Sequence, residues 1–407
     1  MKSTQILFPA LLLAFLSSPT QAQAQAQEKA LVIRGAQVFT GKGGFTEGAE
    51  IRIVGGKIDA VGNVNSLPTD QTIDAKGLYL TPGLIDANTA LGLPSPEENE
   101  QSSEVTPAIQ VKDAIDFKSP AFGFALQDGV TTACISPGGF NVIGGLDAIL
   151  KTGGPLSTRL MESGNGLRIT LGQLPGAGNR APRWGKPTSM YNRRPTTRMG
   201  TIWEIRRAFY KAMKYKDTKA RQEPDRATRV LLNVLKGKVN CRMTARADQD
   251  LRTAIRLAKE FGLKIIIDGG VESYYVLDQI QKAGFPILLT APSQNRAPDG
   301  ATPHLDTAAL LAEKGIHFAI QTGRGMTTLP LIREAAFAVR GGLSREQALE
   351  AITSVPAEIL GIADRVGRIQ KDLDADLVLW SGHPLSLGSH PVRVWIGGKT
   401  VYEEEKH

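Results

Sequence analysis

The sequence predicts an α/β fold in which a (β/α)8 TIM-type barrel is joined to a small composite β-sandwich. Through the middle of the chain, short apolar runs typical of buried strands alternate with segments of helical periodicity. Both ends contain short alternating strands with glycine turns, including Gly-Gly-Lys at 55–57 and at 397–399. With 407 residues, the chain is long enough for a large barrel and a smaller second domain.

The barrel is assigned to residues 80–365 and the sandwich to residues 27–79 and 366–407. The strand candidates are 83–87, 129–136, 147–151, 166–172, 238–244, 263–268, 285–290 and 316–322. The helix candidates are 201–216, 248–262, 272–284, 305–315, 329–342 and 344–361. Eight strands with intervening helices favour the closed barrel. An open doubly wound sheet is the alternative, but no GxGxxG turn follows the first strand.

Residues 1–26 have the pattern of a secretory signal peptide. A lysine precedes an apolar run from Ile6 to Leu16, and small-residue Ala-Gln-Ala sites follow. The apolar run is shorter than an ordinary membrane span, although an uncleaved anchor is the alternative. We expect an exported protein, periplasmic or extracellular, with no transmembrane span after cleavage.

The chain contains two cysteines, Cys134 and Cys241. Export permits a disulfide bond between them. Both lie in apolar, strand-like runs far apart in the chain, a context typical of buried thiols that act as small hydrophobic side chains. We therefore expect two unpaired, buried cysteines.

Positive charge is concentrated in residues 180–229. This segment holds fifteen Lys or Arg and four acidic residues, a net charge of +11, whereas the whole chain carries +8. A solvated helix or a protein-partner surface is one interpretation. A small-anion site at Arg194 and Arg198 is another, because both precede a helix expected to begin near Thr201. Nucleic-acid binding is not favoured, since the helical spacing of the aromatic residues is explained by packing.

An ordered series of motifs runs along almost the whole chain after the signal peptide. It comprises AEIRIVGGKIDAVG (49–62), LYLTPGLIDA (78–87), GVTTACISPGG (129–139), NVIGGLDAILKT (141–152), PTTRMG (195–200), RADQDLRTAIRLAKEFGLKIII (246–267), ITSVPAEILG (352–361) and GRIQKDLDADLVLWSGHPL (367–385). In this series the chain resembles the amidohydrolase superfamily, specifically its imidazolonepropionase-like branch.

The resemblance implies metal-assisted hydrolysis of amide or ring C–N bonds, with zinc or another divalent metal at the C-terminal mouth of the barrel. It also implies ligands at particular places: His-x-His on strand one, a carboxylated lysine or a glutamate mid-barrel, histidines on strands five and six, and an aspartate after strand eight. The matching residues are Asn88 and Ala90 on strand one, Lys151 or Arg168 mid-barrel, Met243 with Ala245 on strand five, Gly269 on strand six, and Gly323 (or Thr322 after a one-residue slip) at strand eight.

This set of residues cannot supply the three or four ligands that a zinc site needs. Alanine and glycine have no side-chain donor atoms, and methionine is a soft thioether. We therefore expect no metal or other cofactor, and a protein without metal-dependent hydrolase activity, in effect a pseudoenzyme. Its role would be binding or assembly, as a homo-oligomer or together with an active amidohydrolase.

Two alternatives remain open at this stage. One is a hydrolase of non-peptide C–N bonds with an atypical or metal-free site, for which Asp268, Glu272 and His304 are the candidate catalytic residues. Either acid could equally serve the start of the following helix as a cap or first-turn acid. The other alternative is a module that binds a small anion.

Overall fold

The computed structural model describes residues 30–65, 67–94, 98–100, 102–177, 194–217, 223–294, 298–323 and 329–405. The expected signal peptide at 1–26 lies outside these residues, as do residues 180–193 and 218–222 of the basic segment. None of the helices within the described ranges is long and apolar enough to cross a membrane.

The first part of the chain forms short strands. They are β1 (Leu31–Arg34), β2 (Gln37–Val38), β3 (Thr46–Glu47), β4 (Glu50–Val54), β5 (Lys57–Gly62), β6 (Gln71–Asp74) and β7 (Tyr79–Pro82). On β4 the side chains alternate between buried and half-buried, which is the pattern of a strand with one face on a core.

The central sheet has eight strands. They are β8 (Leu84–Thr89), β9 (Val130–Ile135), β10 (Ile143–Lys151), β11 (Leu160–Thr170), β12 (Asn240–Ala245), β13 (Ile265–Gly269), β14 (Ile287–Thr290) and β15 (Phe318–Gln321). They are neighbours in sequence order, and each overlaps one predicted strand. The backbone N–H of Gly323 donates to the carbonyl of Asn88 at 3.0 Å and brings the last strand to the first. The predicted barrel is therefore confirmed.

One strand departs from the regular (β/α)8 pattern. β10 runs antiparallel to both β9 and β11. Only residues 136–142 connect β9 to β10, and a parallel crossover needs a dozen residues or more. Because of this reversal, Lys151 pairs with Thr132 near the start of β9, at the end of the barrel opposite its mouth. Lys151 therefore cannot be the mid-barrel ligand that was one of the two candidates.

Helices surround the sheet. They are α1 (Ala121–Gln127), α2 (Leu156–Arg159), α3 (Arg198–Asp217), α4 (Arg226–Leu235), α5 (Asp248–Phe261), α6 (Leu277–Ala283), α7 (Thr307–Glu313), α8 (Leu331–Arg340), α9 (Arg345–Glu350) and α10 (Ser354–Leu360). The helix predicted at 344–361 is in fact two helices. The chain between them inserts beside the barrel seam, where Ile85 N–H donates to the Ile352 carbonyl and Ile320 N–H to the Ala351 carbonyl, each at 2.9 Å.

The C-terminal strands β16 (Leu377–Trp380), β17 (Pro391–Ile396) and β18 (Lys399–Glu403) join the N-terminal ones. One sheet has the order β5-β4-β1-β6, and the other has the order β18-β17-β16-β7-β2-β3. The two share an apolar core that includes Ile51, Leu80 and Trp395. The expected sheets built from both ends of the chain are thus present, while the exact domain limits remain a sequence prediction.

Lys151 connects the closed end of the barrel to the sandwich. Its side chain is 6% exposed, and its Nζ pairs with Asp376 and lies 3.1 Å from Asp374 Oδ2. Both carboxylates belong to the segment that leads into β16. A buried cation of this kind is tolerated only because the opposite charges are fixed beside it.

We expect Lys151→Met to destabilise the protein by about 3–5 kcal/mol, because it leaves two carboxylates without their buried counter-charge. Urea unfolding followed by fluorescence measures the loss. The matched control is Lys57→Met, because Lys57 Nζ lies 3.5 Å from the same Asp374 but its side chain is 57% exposed. Equal losses from the two variants would contradict the role given to Lys151.

Candidate functional site

The barrel interior is defined by which side chains of each strand point inward. On β12, Met243 and Ala245 belong to the apolar cluster shared with the surrounding helices. The alternate residues point inward: Arg242 donates to the Ala87 carbonyl, and Thr244 donates to Asp268. Met243 and Ala245, matched to the strand-five histidines, therefore do not face the site. A one-residue difference in register moves a side chain to the other face of a sheet.

Two expected ligand positions serve the backbone instead. Gly269 ends β13 with a φ of +114°, and a Cβ there would lie 2.9 Å from the Arg246 side chain. Gly323 donates its N–H to Asn88 at the barrel seam. The side chains that occupy the interior at these two strand ends are Asp268 and Gln321, which are hydrogen-bonded to each other at 2.8 Å.

Asp268 is the centre of the mouth. Asn88 Nδ2 donates to both of its carboxylate oxygens at 3.3 Å, and Thr244 Oγ1 donates to Oδ2 at 3.2 Å. Arg168 Nη2 lies 3.6 Å from Oδ2, and both side chains are almost completely buried. Burial alone would raise the pKa of Asp268, but the positive charges of Arg168 and Arg242 hold it below its usual value. Asp268 is therefore ionised at neutral pH.

Ser136 completes this network from β9's end. Its hydroxyl donates to Asn88 Oδ1 at 2.5 Å and accepts from Arg168 Nη1 at 2.9 Å. Asn88 is thereby fixed in one orientation, with its amide NH₂ toward Asp268. Ser136, Thr244 and Gln321 were not among the residues predicted from the sequence. The signal that was available is their shared position, as polar residues at the ends of barrel strands.

A second buried ion pair lies deeper in the barrel. Arg242 Nη1 is 3.1 Å from Asp147 Oδ2 and 2.8 Å from the sulfur of Cys134. Burial raises the pKa of the Cys134 thiol, so it stays protonated. Both Cys134 and Cys241 are free and buried, which confirms the sequence prediction for the two thiols.

The other two catalytic candidates have different surroundings from Asp268. Glu272 accepts from the backbone N–H of Asp248 and from that of Thr302, each at 2.8 Å, so it caps the start of α5 and holds a loop. His304 is half-exposed and stacks on the ring of Tyr274 with centroids 4.0 Å apart. Asp268 and Glu272, two of the candidates for a metal-free site, are therefore held by different partners.

The expected anion site at Arg198 is occupied by a carboxylate of the protein itself. Arg198 Nε and Nη2 lie 2.9 Å and 3.1 Å from the two oxygens of Asp250. Arg194 is 64% exposed and lies 3.8 Å from Glu104. α3 begins at Arg198 rather than near Thr201. The positive charge of Arg198 is therefore already balanced by Asp250, and these contacts do not favour a small anion there.

A loop after β14 holds the outer ends of β11 and β12 together. The Asp299 carboxylate accepts from the backbone N–H of Gln173 at 2.6 Å and from Arg246 Nη1 at 3.0 Å. A Cβ on Gly172 would lie 2.6 Å from Asp299 Oδ1, so only glycine allows this approach. The polar groups above the mouth thus pair with one another.

The divalent metal that the resemblance implies does not fit these side chains. Across the described part of the chain, no three His, Cys, Asp or Glu side chains are grouped so that they could hold a metal ion. Arg168 also stands beside Asp268 as a cation that cannot be neutralised. Two unit charges 4 Å apart repel by about 4 kcal/mol at an effective dielectric of 20, and a divalent ion doubles that.

Asp86 is a further acid at the mouth. It accepts from the Thr322 hydroxyl, from Thr322 N–H at 3.2 Å and from Asn88 N–H at 3.3 Å. Burial raises its pKa from 3.8 to about 6, although these hydrogen bonds oppose the shift. The folded protein therefore retains a proton on Asp86 over a pH range in which the unfolded chain has lost it.

We expect the free energy of unfolding of the wild type, relative to that of Asp86→Asn, to fall by about 3 kcal/mol as the pH rises from about 4 to about 6. The sign follows because the folded state binds more protons than the unfolded state in this window. Melting curves of both proteins across this pH range measure the difference. A gap between the two proteins that does not change with pH would contradict the raised pKa.

The sequence and the fold both match known amidohydrolases. The sequence profile of the Amidohydrolase family matches residues 241–401. Amidohydrolase tasK from Hapsidospora irregularis is 27% identical over 389 residues, 86% of this chain and 39% of that protein. The chain thus spans about two fifths of the length of that relative.

Solved structures extend the likeness. An adenosine deaminase from Xanthomonas campestris with bound zinc is 15% identical, with a TM-score of 0.54 over 93% of this chain and 94% of that one, which shows the fold alone. An amidohydrolase from Thermotoga maritima MSB8 is 30% identical, with a TM-score of 0.81, over 92% of this chain and 100% of that one. By sequence and structure together, the chain belongs to the amidohydrolase family.

Proposed function

We propose that this amidohydrolase-family protein carries no catalytic metal and does not hydrolyse C–N bonds by the metal-dependent route. Its role is that of a binding or partner subunit. The observation that carries this proposal is the buried Arg168–Asp268 pair at the centre of the barrel mouth, 3.6 Å apart.

The pair leaves no unbalanced negative charge at the centre of the mouth to attract a metal ion. Asp268 supplies one negative charge, and Arg168 balances it with a guanidinium that never loses its proton. The amide of Asn88 and that of Gln321 both direct N–H groups, not oxygens, toward the carboxylate. Gln321 Oε1 has no hydrogen-bond partner among the residues described, but one neutral amide oxygen falls short of the three or four ligands that zinc requires.

Metal-free hydrolysis has less support. A general acid must hold a proton near the working pH, and the pKa of Asp268 is lowered instead. Glu272 uses its two carboxylate oxygens to accept backbone N–H groups at 2.8 Å. Neither acid is therefore positioned to exchange a proton with a substrate.

The proposal includes export and assembly. Residues 1–26 have the signal-peptide pattern, which supports a periplasmic or extracellular location. A member without its own metal can still contribute through contacts with a second copy or with an active amidohydrolase, because function resides in sites and surfaces rather than in the fold.

We expect the purified protein to contain well below one zinc, manganese or iron per chain after dialysis, and its melting temperature not to change with EDTA. A tight native-state metal site would add about 4 kcal/mol at a ligand concentration a thousand times Kd. Elemental analysis and melting curves measure both, and a panel of N-acyl amino acids and cyclic amides tests for hydrolysis.

The zinc-containing adenosine deaminase from Xanthomonas campestris is the positive control for the metal analysis. Stoichiometric metal retained by this chain, or hydrolysis that EDTA abolishes, would refute the proposal. Full hydrolysis without metal would refute the loss of activity while leaving the metal argument intact.

A variant of Arg168 tests whether its charge is what holds the mouth together. We expect Arg168→Met to destabilise the protein by about 3–5 kcal/mol, because Asp268 is left buried without its counter-charge. Adding Asp268→Asn to that variant should restore part of the loss, since the uncompensated charge is then removed. Urea unfolding of the single and double variants measures the coupling, and strictly additive losses would contradict the pairing.

A further inference from the structure

A groove on the outside of the barrel runs between α3 and α5. Its volume is about 440 Å³. The α3 wall combines the apolar side chains of Met199, Ile202 and Trp203 with two arginines. The α5 wall is polar and consists of Gln249, Asp250, Thr253 and Arg256. Met199 is 80% exposed and Trp203 is 54% exposed. Two large apolar side chains exposed together on one helix are typical of an interaction surface.

The two other arginines that line the groove are already paired. Arg198 makes its two-pronged contact with Asp250, and Arg206 makes one with Glu260 at 2.8 Å and 2.7 Å. Arg256 differs from them, because it makes no ion pair within the described residues, and its one hydrogen bond goes to Thr253 Oγ1 at 3.3 Å. Glu260 lies within electrostatic range of Arg256 but is hydrogen-bonded to Arg206, so N–H groups of Arg256 are available to an acidic group in the groove.

The surface of α3 beside the groove is also positively charged. α3 carries six Lys or Arg and two acidic residues, a net charge of +4 over residues 198–217. One of the two acids, Glu204, is buried and pairs with Arg207. An occupant complementary to this surface must therefore be acidic and must also present an apolar side chain to the Met199–Trp203 wall.

We propose that the α3–α5 groove docks an acidic, extended segment of a partner protein, with an apolar side chain against Trp203 and a carboxylate at Arg256. The proposal rests on the partner-binding role proposed above. Its test involves neither metal nor hydrolysis, so that the two can fail separately.

The shape of the surface favours a polypeptide over a lipid bilayer or a nucleic acid. A flat bilayer rests on the ridges beside a groove and does not enter it, whereas this groove is lined from both α3 and α5. A single-stranded nucleic acid would need successive aromatic platforms along its path, and the groove offers one ring, that of Trp203. Arg256 on the α5 wall therefore distinguishes a docked peptide from the other two.

The probe is a dye-labelled peptide in which glutamates alternate with leucine and phenylalanine, and its counterpart with every glutamate replaced by glutamine. Fluorescence anisotropy measures binding to the full-length mature protein at about 0.01 M and about 0.15 M salt. We expect saturable binding of the acidic peptide that weakens with salt, and no binding of its neutral counterpart.

Arg256→Gln should weaken binding about fivefold, and Trp203→Ala should weaken it about tenfold. The matched control is Lys211→Gln on the exposed outer side of α3, for which we expect a change of less than about twofold. Melting curves confirm that each variant is folded.

Equal effects of Arg256→Gln and Lys211→Gln would overturn the proposal, because attraction by net charge would then suffice. Absence of saturable binding of the acidic peptide would also overturn it. Tighter binding to phosphatidylglycerol vesicles or to oligo-dT, dependent on Lys211 but not on Arg256, would assign the surface to a lipid or a nucleic acid instead.

Discussion

Charge balance inside the closed barrel is the constraint on which the rest of the site depends. Water cannot solvate charges there, so each buried ion needs a partner fixed within the same sheet. Asp268 is balanced by Arg168 and Asp147 by Arg242, and the two arginines are register neighbours on β11 and β12. Like charges on adjacent strands would be destabilising alone. They persist because each has an aspartate within 4 Å, and so the four side chains form one neutral unit.

This unit favours amides and hydroxyls as its neighbours at the mouth. Once Arg168 stands beside Asp268, the neighbouring positions are best occupied by N–H and O–H donors to the carboxylate, which are what Asn88, Thr244 and Gln321 provide. A histidine or a second carboxylate at any of them would compete with the guanidinium or leave an unpaired charge. The strands and helices of the fold depend on apolar packing, which does not require particular side chains at the mouth.

Much of the fold could be predicted from sequence, because it is encoded in local patterns. All eight barrel strands follow from apolar runs, and the short 136–142 connection also held the information that β10 is reversed. The site was harder to predict. Asn88 and Asp268 are 180 residues apart, and their contact depends on barrel closure. Met243 was assigned in place of Thr244 because a one-residue register decides which face a strand residue occupies. The contact of Arg198 with Asp250 was also not predictable, because the two residues are distant in sequence and are brought together by the fold.

The neutral interior also bears on where the protein can act. A barrel whose buried ions are paired with one another has little electrostatic affinity left to offer a charged ligand at its centre. The chain nevertheless carries +8 overall, and α3, on the outside of the barrel, carries +4. On the neighbouring α5, Arg256 makes no ion pair within the described residues, whereas Arg198 and Arg206 each make one. Recognition of an acidic partner is therefore favoured on the outer helices, where the guanidinium of Arg256 lies in the same groove as an exposed tryptophan.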